Sequence, residues 1–158
     1  MSHRYIAGVI DRATHRTIVM HRLTPSLKAG IEWNAKAQEV GLVANWRVLS
    51  ETAARPAVIL GTSSDRIGTP SGQSYYATVS KSLGGRVAPY AGISYSGHAD
   101  AFVFPFGANV LLAPNWSAMV MNDGVHTHLS ATYVRGRASV TLLAVERRHL
   151  GLTVGMTF

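Results

Sequence analysis

The last ten residues, His149-Leu-Gly-Leu-Thr-Val-Gly-Met-Thr-Phe158, alternate with a period of two. Leu150, Leu152, Val154, Met156 and Phe158 fall on one face; His149, Gly151, Thr153, Gly155 and Thr157 fall on the other. A 3.6-residue period would scatter these side chains around a cylinder, so the segment reads as a strand with one apolar face and one small or polar face. The pattern recurs. Leu27, Ala29, Ile31 and Trp33 oppose Lys28, Gly30, Glu32 and Asn34. Leu42, Ala44, Trp46 and Val48 oppose Val43, Asn45, Arg47 and Leu49. Leu129, Ala131 and Tyr133 oppose His126, His128, Ser130 and Thr132, and Phe102, Phe104, Phe106, Ala108, Val110 and Leu112 oppose Pro105, Gly107 and Asn109.

This alternation predicts an all-β chain of twelve strands. They lie near 3–11, 15–24, 26–35, 40–49, 56–64, 73–82, 86–96, 101–112, 115–122, 125–134, 137–146 and 149–158. Each is close to the roughly 9–11 residues that a tilted strand needs to cross a bilayer. The 15–24 segment is undecided, because Ile18, Met20 and Arg22 compete with Val19, His21 and Leu23 for the apolar face. No segment prefers a helical period. The connections alternate in character. One set is mostly short and turn-like (Thr24-Pro25-Ser26, Gly84-Gly85, Ala113-Pro114-Asn115, Arg135-Gly136-Arg137), with Ser50–Arg55 its longer member. The other set is more charged and often longer, at 12–16, 35–39, 65–72, 97–100, 122–124 and 146–148. Short turns at one end and longer loops at the other are the habit of bacterial outer-membrane barrels. An even strand count puts both termini at the short-turn, periplasmic end. The expectation is one domain over 1–158, an antiparallel up-and-down transmembrane β-barrel of the Gram-negative outer membrane.

Alternation alone does not separate a membrane barrel from a soluble, lipocalin-like binding barrel, whose apolar face points inward. Three features decide for the membrane. Charged residues make up only 15% of the 158 residues, against about 25% in ordinary soluble domains. Trp33, Trp46, Tyr75, Trp116, Tyr133 and Phe158 sit on the apolar face near strand ends, as aromatic girdles do. The opposite face is Gly-, Ser-, Thr- and Asn-rich rather than coated with Lys and Glu, which suits an enclosed, hydrated interior. The lumen-lining set is then Lys28, Glu32, Asn45, Arg47, Asn109, His126, His128 and Ser130. Directing Lys28, Glu32 and Arg47 inward avoids about 2–4 kcal/mol for each charge facing lipid at mid-depth. Arg47 and Glu32 are expected to pair across a hairpin. No secretory leader pattern is visible at Met1, so an exported form of this chain would be a mature form or an excised domain.

The residues exclude several chemistries. With no cysteine there is no disulfide scaffold, no thiolate metal site and no cysteine nucleophile. The net charge of +7 is spread along the chain with no nucleic-acid-binding motif, so no nucleic-acid partner is expected. His126 and His128 project together and would need His149 or Asp123 to complete a metal site. No tetrahedral ligand set is readable, so no metal and no cofactor are expected. His126, His128 and Ser130 also raise the alternative of a membrane-embedded hydrolase similar to outer-membrane phospholipase. The Ser and His motifs of that family are absent, and no catalytic residue is assigned. The glycines of the 61–72 loop lack the Lys-Ser/Thr ending of a phosphate-binding loop, leaving an inward-folded loop that narrows the lumen or a surface loop. Arg12, His15, Arg16, Arg147 and Arg148 fall in connections that barrel closure would bring together, a basic patch for lipopolysaccharide phosphates or acidic glycans.

Two stretches carry a resemblance. The ending Leu-Thr-Val-Gly-Met-Thr-Phe158 resembles the C-terminal assembly signal of bacterial outer-membrane proteins, which implies the barrel-assembly machinery as a partner. Pro56-Ala-Val-Ile-Leu-Gly61, Asp65-Arg-Ile-Gly68-Thr69, Tyr75-Tyr76 and Ser80-Lys81-Ser-Leu83 together resemble a hairpin of YjbH-type outer-membrane β-barrels, although Ser74 stands where that family often has an acidic residue. The resemblance implies a barrel linked to exopolysaccharide production and secretion. The function expected is a small channel or structural barrel in contact with bilayer and lipopolysaccharide, with an anionic polysaccharide as a further partner.

Overall fold

The structure, a computed structural model, describes residues 1–8, 14–67 and 69–158. Its strands are β1 (Ser2–Ile6), β2 (His15–Arg22), β3 (Leu27–Asn34), β4 (Glu39–Leu49), β5 (Ala57–Ser64), β6 (Gln73–Ser80) and β7 (Val87–Ser96), then β8 (Ala101–Val103), β9 (Phe106–Ala113), β10 (Trp116–Asn122), β11 (Thr127–Arg135), β12 (Ala138–Val145) and β13 (His149–Met156). Each pairs antiparallel with its neighbours in one sheet. β1 pairs with β13, matching Ser2 to Gly155 and Ile6 to Gly151. β6 pairs with β7, so the sheet closes on itself. The architecture is an antiparallel up-and-down barrel of twelve wall strands, because β8 and β9 are two halves of one.

The expected strand over 101–112 is broken at Phe104-Pro105. Proline has no N–H to give the ladder. Its carbonyl is still used, accepting from Gly92 N at 2.8 Å. The register runs on across the break, with Ser94 opposite Val103 and Ala91 opposite Phe106. The first strand is shorter than the expected 3–11, and residues 9–13 lie outside the described residues.

The apolar faces point outward. Ile31, Leu142, Leu150, Leu152 and Val154 are all at least 40% exposed, while Glu32, Asn34, Arg16, Asp123 and His128 are each under 8% exposed. A soluble barrel would show the reverse. The undecided β2 resolves by its neighbours: Arg16 and Glu32 are both buried, which turns Ile18, Met20 and Arg22 inward and Val19, His21 and Leu23 outward.

The aromatic side chains of the outer wall form two bands. Trp33 and Tyr75 lie toward the long-loop end, joined there by Tyr5 and by Tyr95 stacked edge-on against Phe102. Trp46, Phe158 and the Trp116–Tyr133 pair, with ring centroids 4.9 Å apart, lie toward the short-turn end. On the inner wall, glycine makes room. A Cβ at Gly61 would sit 2.4 Å from the Tyr76 ring, so the missing side chain lets Tyr76 lie across β5 and reach Asn45 on β4.

Candidate functional site

The lumen holds the buried charge. Arg16 on β2 and Glu32 on β3 point inward, with Arg16 Nε 2.8 Å from Glu32 Oε1. Glu32 lies directly opposite Ile18, so Arg16 is its diagonal neighbour one step toward the long-loop end. This corrects the expected Arg47–Glu32 pair. Glu32 faces Gly41 on β4, and Arg47 is at the far end of that hairpin, donating to Pro25 O at 3.2 Å. Arg4 on β1 stands opposite Arg16. Its Nε is buried with no hydrogen-bond partner among the described residues, and Glu32 is the carboxylate that offsets it.

The described residues of the 65–72 loop fold into this space. Asp65 and Thr69 are buried, and Asp65, Arg66 and Ile67 share a cavity of about 330 Å³ with Arg4, Arg16, Glu32, Tyr90, Met121 and Asp123. Arg4, Arg16, Ile18 and Glu32 on one side and Tyr90, Ser94, Pro105 and Met121 on the other line the same space, so the loop lies across the lumen rather than over the outer surface. Asp65 latches it to the wall: Oδ2 accepts from Ser96 Oγ at 2.8 Å and from His98 N at 2.9 Å. Asn34 Nδ2 donates to Pro70 O at 2.8 Å from the other side. The sequence allows an inward-folded or a surface loop here, and the structure has the inward one.

A second polar cluster occupies the long-loop end. Asp123 Oδ1 accepts from Val125 N and His126 N, and Oδ2 lies 2.9 Å from His128 Nε2. Burial alone would raise this carboxyl, but the bonds from His128 and from the two backbone amides outweigh it and hold the group down at about 2. His128 Nδ1 accepts from Glu146 N at 3.1 Å, so the ring proton is on Nε2 and both nitrogens are engaged. His126, on the adjacent turn, is 3.4 Å from Glu146 Oε1. Among the described residues there is no group of three or more His, Cys, Asp or Glu arranged to hold a metal.

The lumen-facing residues therefore divide. Glu32 and His128 are buried inside, and Asn45 accepts from Tyr76 Oη at 2.5 Å across the inner wall. Ser130 stands on the inner face between Met119 and Leu143. Lys28, opposite both Arg22 and Asn45, is exposed with Arg47 at the short-turn mouth, and Asn109, opposite Met119, is exposed as well. His126 lies at the loop end and is not brought to Ser130. Of the expected basic loop patch, Arg147 and Arg148 are exposed, Arg16 belongs to the lumen, and Arg12 is outside the described residues. Sequence reasoning missed Arg4, although Ser2, Arg4 and Ile6 alternate with His3 and Tyr5 and so carried the signal.

No family model matches the chain, and no curated protein matches it. Among solved structures the chain is similar to the KdgM porin, at a TM-score of 0.60 and 13% identity over 99% of this chain and 96% of that one. At that identity the likeness is one of fold: this chain has the barrel architecture of a porin.

Proposed function

We propose that this chain is a narrow, non-enzymatic channel of a Gram-negative outer membrane. The observation that carries the reading is the folded 65–72 loop lying across a polar lumen inside a barrel whose outer wall is apolar. Unpaired backbone is excluded from hydrocarbon, and a closed sheet with greasy exterior residues meets that demand. An interior holding Arg4, Arg16, Arg66, Glu32, Asp65 and Asp123 is water-compatible and carries both signs of charge. Such a lumen passes small solutes past fixed charges, selecting by size and field. The test is single-channel recording in a planar bilayer. Small, discrete steps are expected; a silent bilayer containing heat-modifiable, folded protein would leave a plugged structural barrel instead.

A second reading adds an anionic polysaccharide as the solute or bound partner. Arg4, Arg16 and Arg66 in one cavity, with Lys28, Arg22 and Arg47 toward the short-turn mouth, favour it, as does the resemblance of residues 56–82 to YjbH-type barrels. Concentration-dependent block of the current by an acidic oligosaccharide, and none by a neutral one of equal length, is the expected result. Lipopolysaccharide against the outer wall and the assembly machinery at the strand ending in Phe158 complete the proposed partners. Hydrolysis at His128 is disfavoured, because neither of its ring nitrogens is left to take a proton from a serine.

A further inference from the structure

The outer wall has a polar sector on its first two strands. On β1 and β2, His3, Tyr5, His15 and Thr17 alternate with inward Arg4 and Arg16, and so stand on the outside. Thr17 is directly opposite Trp33, which places the group level with the long-loop aromatic band. At that level water and headgroups replace acyl chains.

The register sets His3 opposite Thr17 and Tyr5 opposite His15, so the two histidines are diagonal neighbours across one strand pair. His3 Nε2 and His15 Nδ1 approach to 3.4 Å. Two imidazole nitrogens on one tetrahedral zinc, each about 2.0–2.1 Å from the ion, lie about 3.3–3.4 Å apart. The remaining nitrogen of His3, Nδ1, is 2.9 Å from Thr17 Oγ1. An outer hydrogen bond of this kind orients metal-bound histidines generally. The His15 ring is held against Tyr5, with centroids 4.9 Å apart. Both histidines are exposed, and each of the two converging nitrogens is the other's hydrogen-bond partner.

We propose that His3 and His15 bind a divalent transition-metal ion of the Zn²⁺, Ni²⁺ or Cu²⁺ class on the outer wall, with water filling the open positions. Imidazole selects these ions over Mg²⁺ and Ca²⁺, which prefer oxygen. Loading needs a lone pair on both facing nitrogens. The ring protons then sit on His3 Nδ1, where Thr17 Oγ1 accepts, and on His15 Nε2. The ion would tie β1 to β2 beside the closure of the ring. The chain has no cysteine to compete for it.

The test uses the full chain, purified without a histidine tag and folded in detergent micelles, titrated with Zn²⁺ against a chromophoric chelator. One equivalent is expected to bind. His3→Gln and His15→Gln should each weaken it at least tenfold, while His98→Gln, His126→Gln and His149→Gln leave it unchanged. Either of the first two variants retaining full affinity, or one of the other three losing it, overturns the site. Cu²⁺ bound to the unaltered protein checks the assignment independently of any variant's folding. Its electron paramagnetic resonance spectrum should show two equatorial nitrogens, and one or none overturns the proposal.

Discussion

Arg16 and Glu32 form a 2.8 Å ion pair inside the barrel, with side chains 6% and 3% exposed. Removing one partner strands the other's charge. Glu32→Gln also leaves Arg4 without the carboxylate that offsets its charge. A loss of about 3–5 kcal/mol in unfolding free energy is expected, the usual range for a broken buried pair. The double variant Arg16→Met/Glu32→Leu should recover much of it. Urea unfolding in micelles reads both. The same Glu32→Gln channel should shift its reversal potential toward anion preference in a salt gradient.

The Asp65 latch makes a separate prediction. Asp65→Ala removes the acceptor of Ser96 Oγ and His98 N. With Asn34 and the strand ends left to hold it, the loop should leave the lumen part of the time. Single-channel records should show larger, noisier steps than the unaltered protein. Replacing residues 66–71 with two glycines should give larger steps without the noise.

Asp123 sets an acid limit on the 122–127 turn. Its carboxyl is held down at about 2, below the unfolded value near 3.9. A group depressed on folding contributes fully above its unfolded pKa and loses that contribution as pH falls toward the folded one. The amides of Val125 and His126 should therefore stay protected from hydrogen exchange down to about pH 4 and lose protection between about pH 4 and 2. Asp123→Asn should abolish that pH step.

Leu142 and Leu152 face each other on the outer wall, and Thr141 and Thr153 face each other one step away on the inner wall. Leu142→Arg should cost about 2–4 kcal/mol in lipid vesicles, as lipid-facing charge does near the midplane. Thr141→Arg, turned toward water, should cost clearly less. A larger cost for Thr141→Arg than for Leu142→Arg would mean that the two walls had been assigned the wrong way round.

Which side chains share a face was legible because a period of two leaves one freedom per strand, and ten-residue stretches such as 149–158 settle it with five concordant side chains; that the apolar face points outward came from the low charge content and the aromatic strand ends. β2 was not legible, since Ile18 and Met20 are as apolar as Val19 and Leu23; what turns it is the charge of Arg16 seeking Glu32. That partnership was itself misassigned to Arg47, because hairpin neighbours are obvious in a sequence while the register that separates Glu32 from Arg47 is not. The Pro105 break was visible as a residue but not as an interruption, since an outward Phe ran through both sides of it. His128 was picked out by alternation. Its partner Asp123 lies across a turn whose geometry depends on the Asp123 side chain catching two amides, which spacing alone does not encode.

The Ser2–Gly155 pairing that joins β1 to β13 has a topological consequence. The wall has no privileged seam: the break between first and last residue is one interval among twelve. A circular permutant opened at Gly84-Gly85, with a short linker bridging the present ends, should rebuild the same cylinder. Its slowest step would then be the meeting of β6 with β7 instead of β1 with β13, moving the most entropically demanding contact of assembly to the opposite side of the ring.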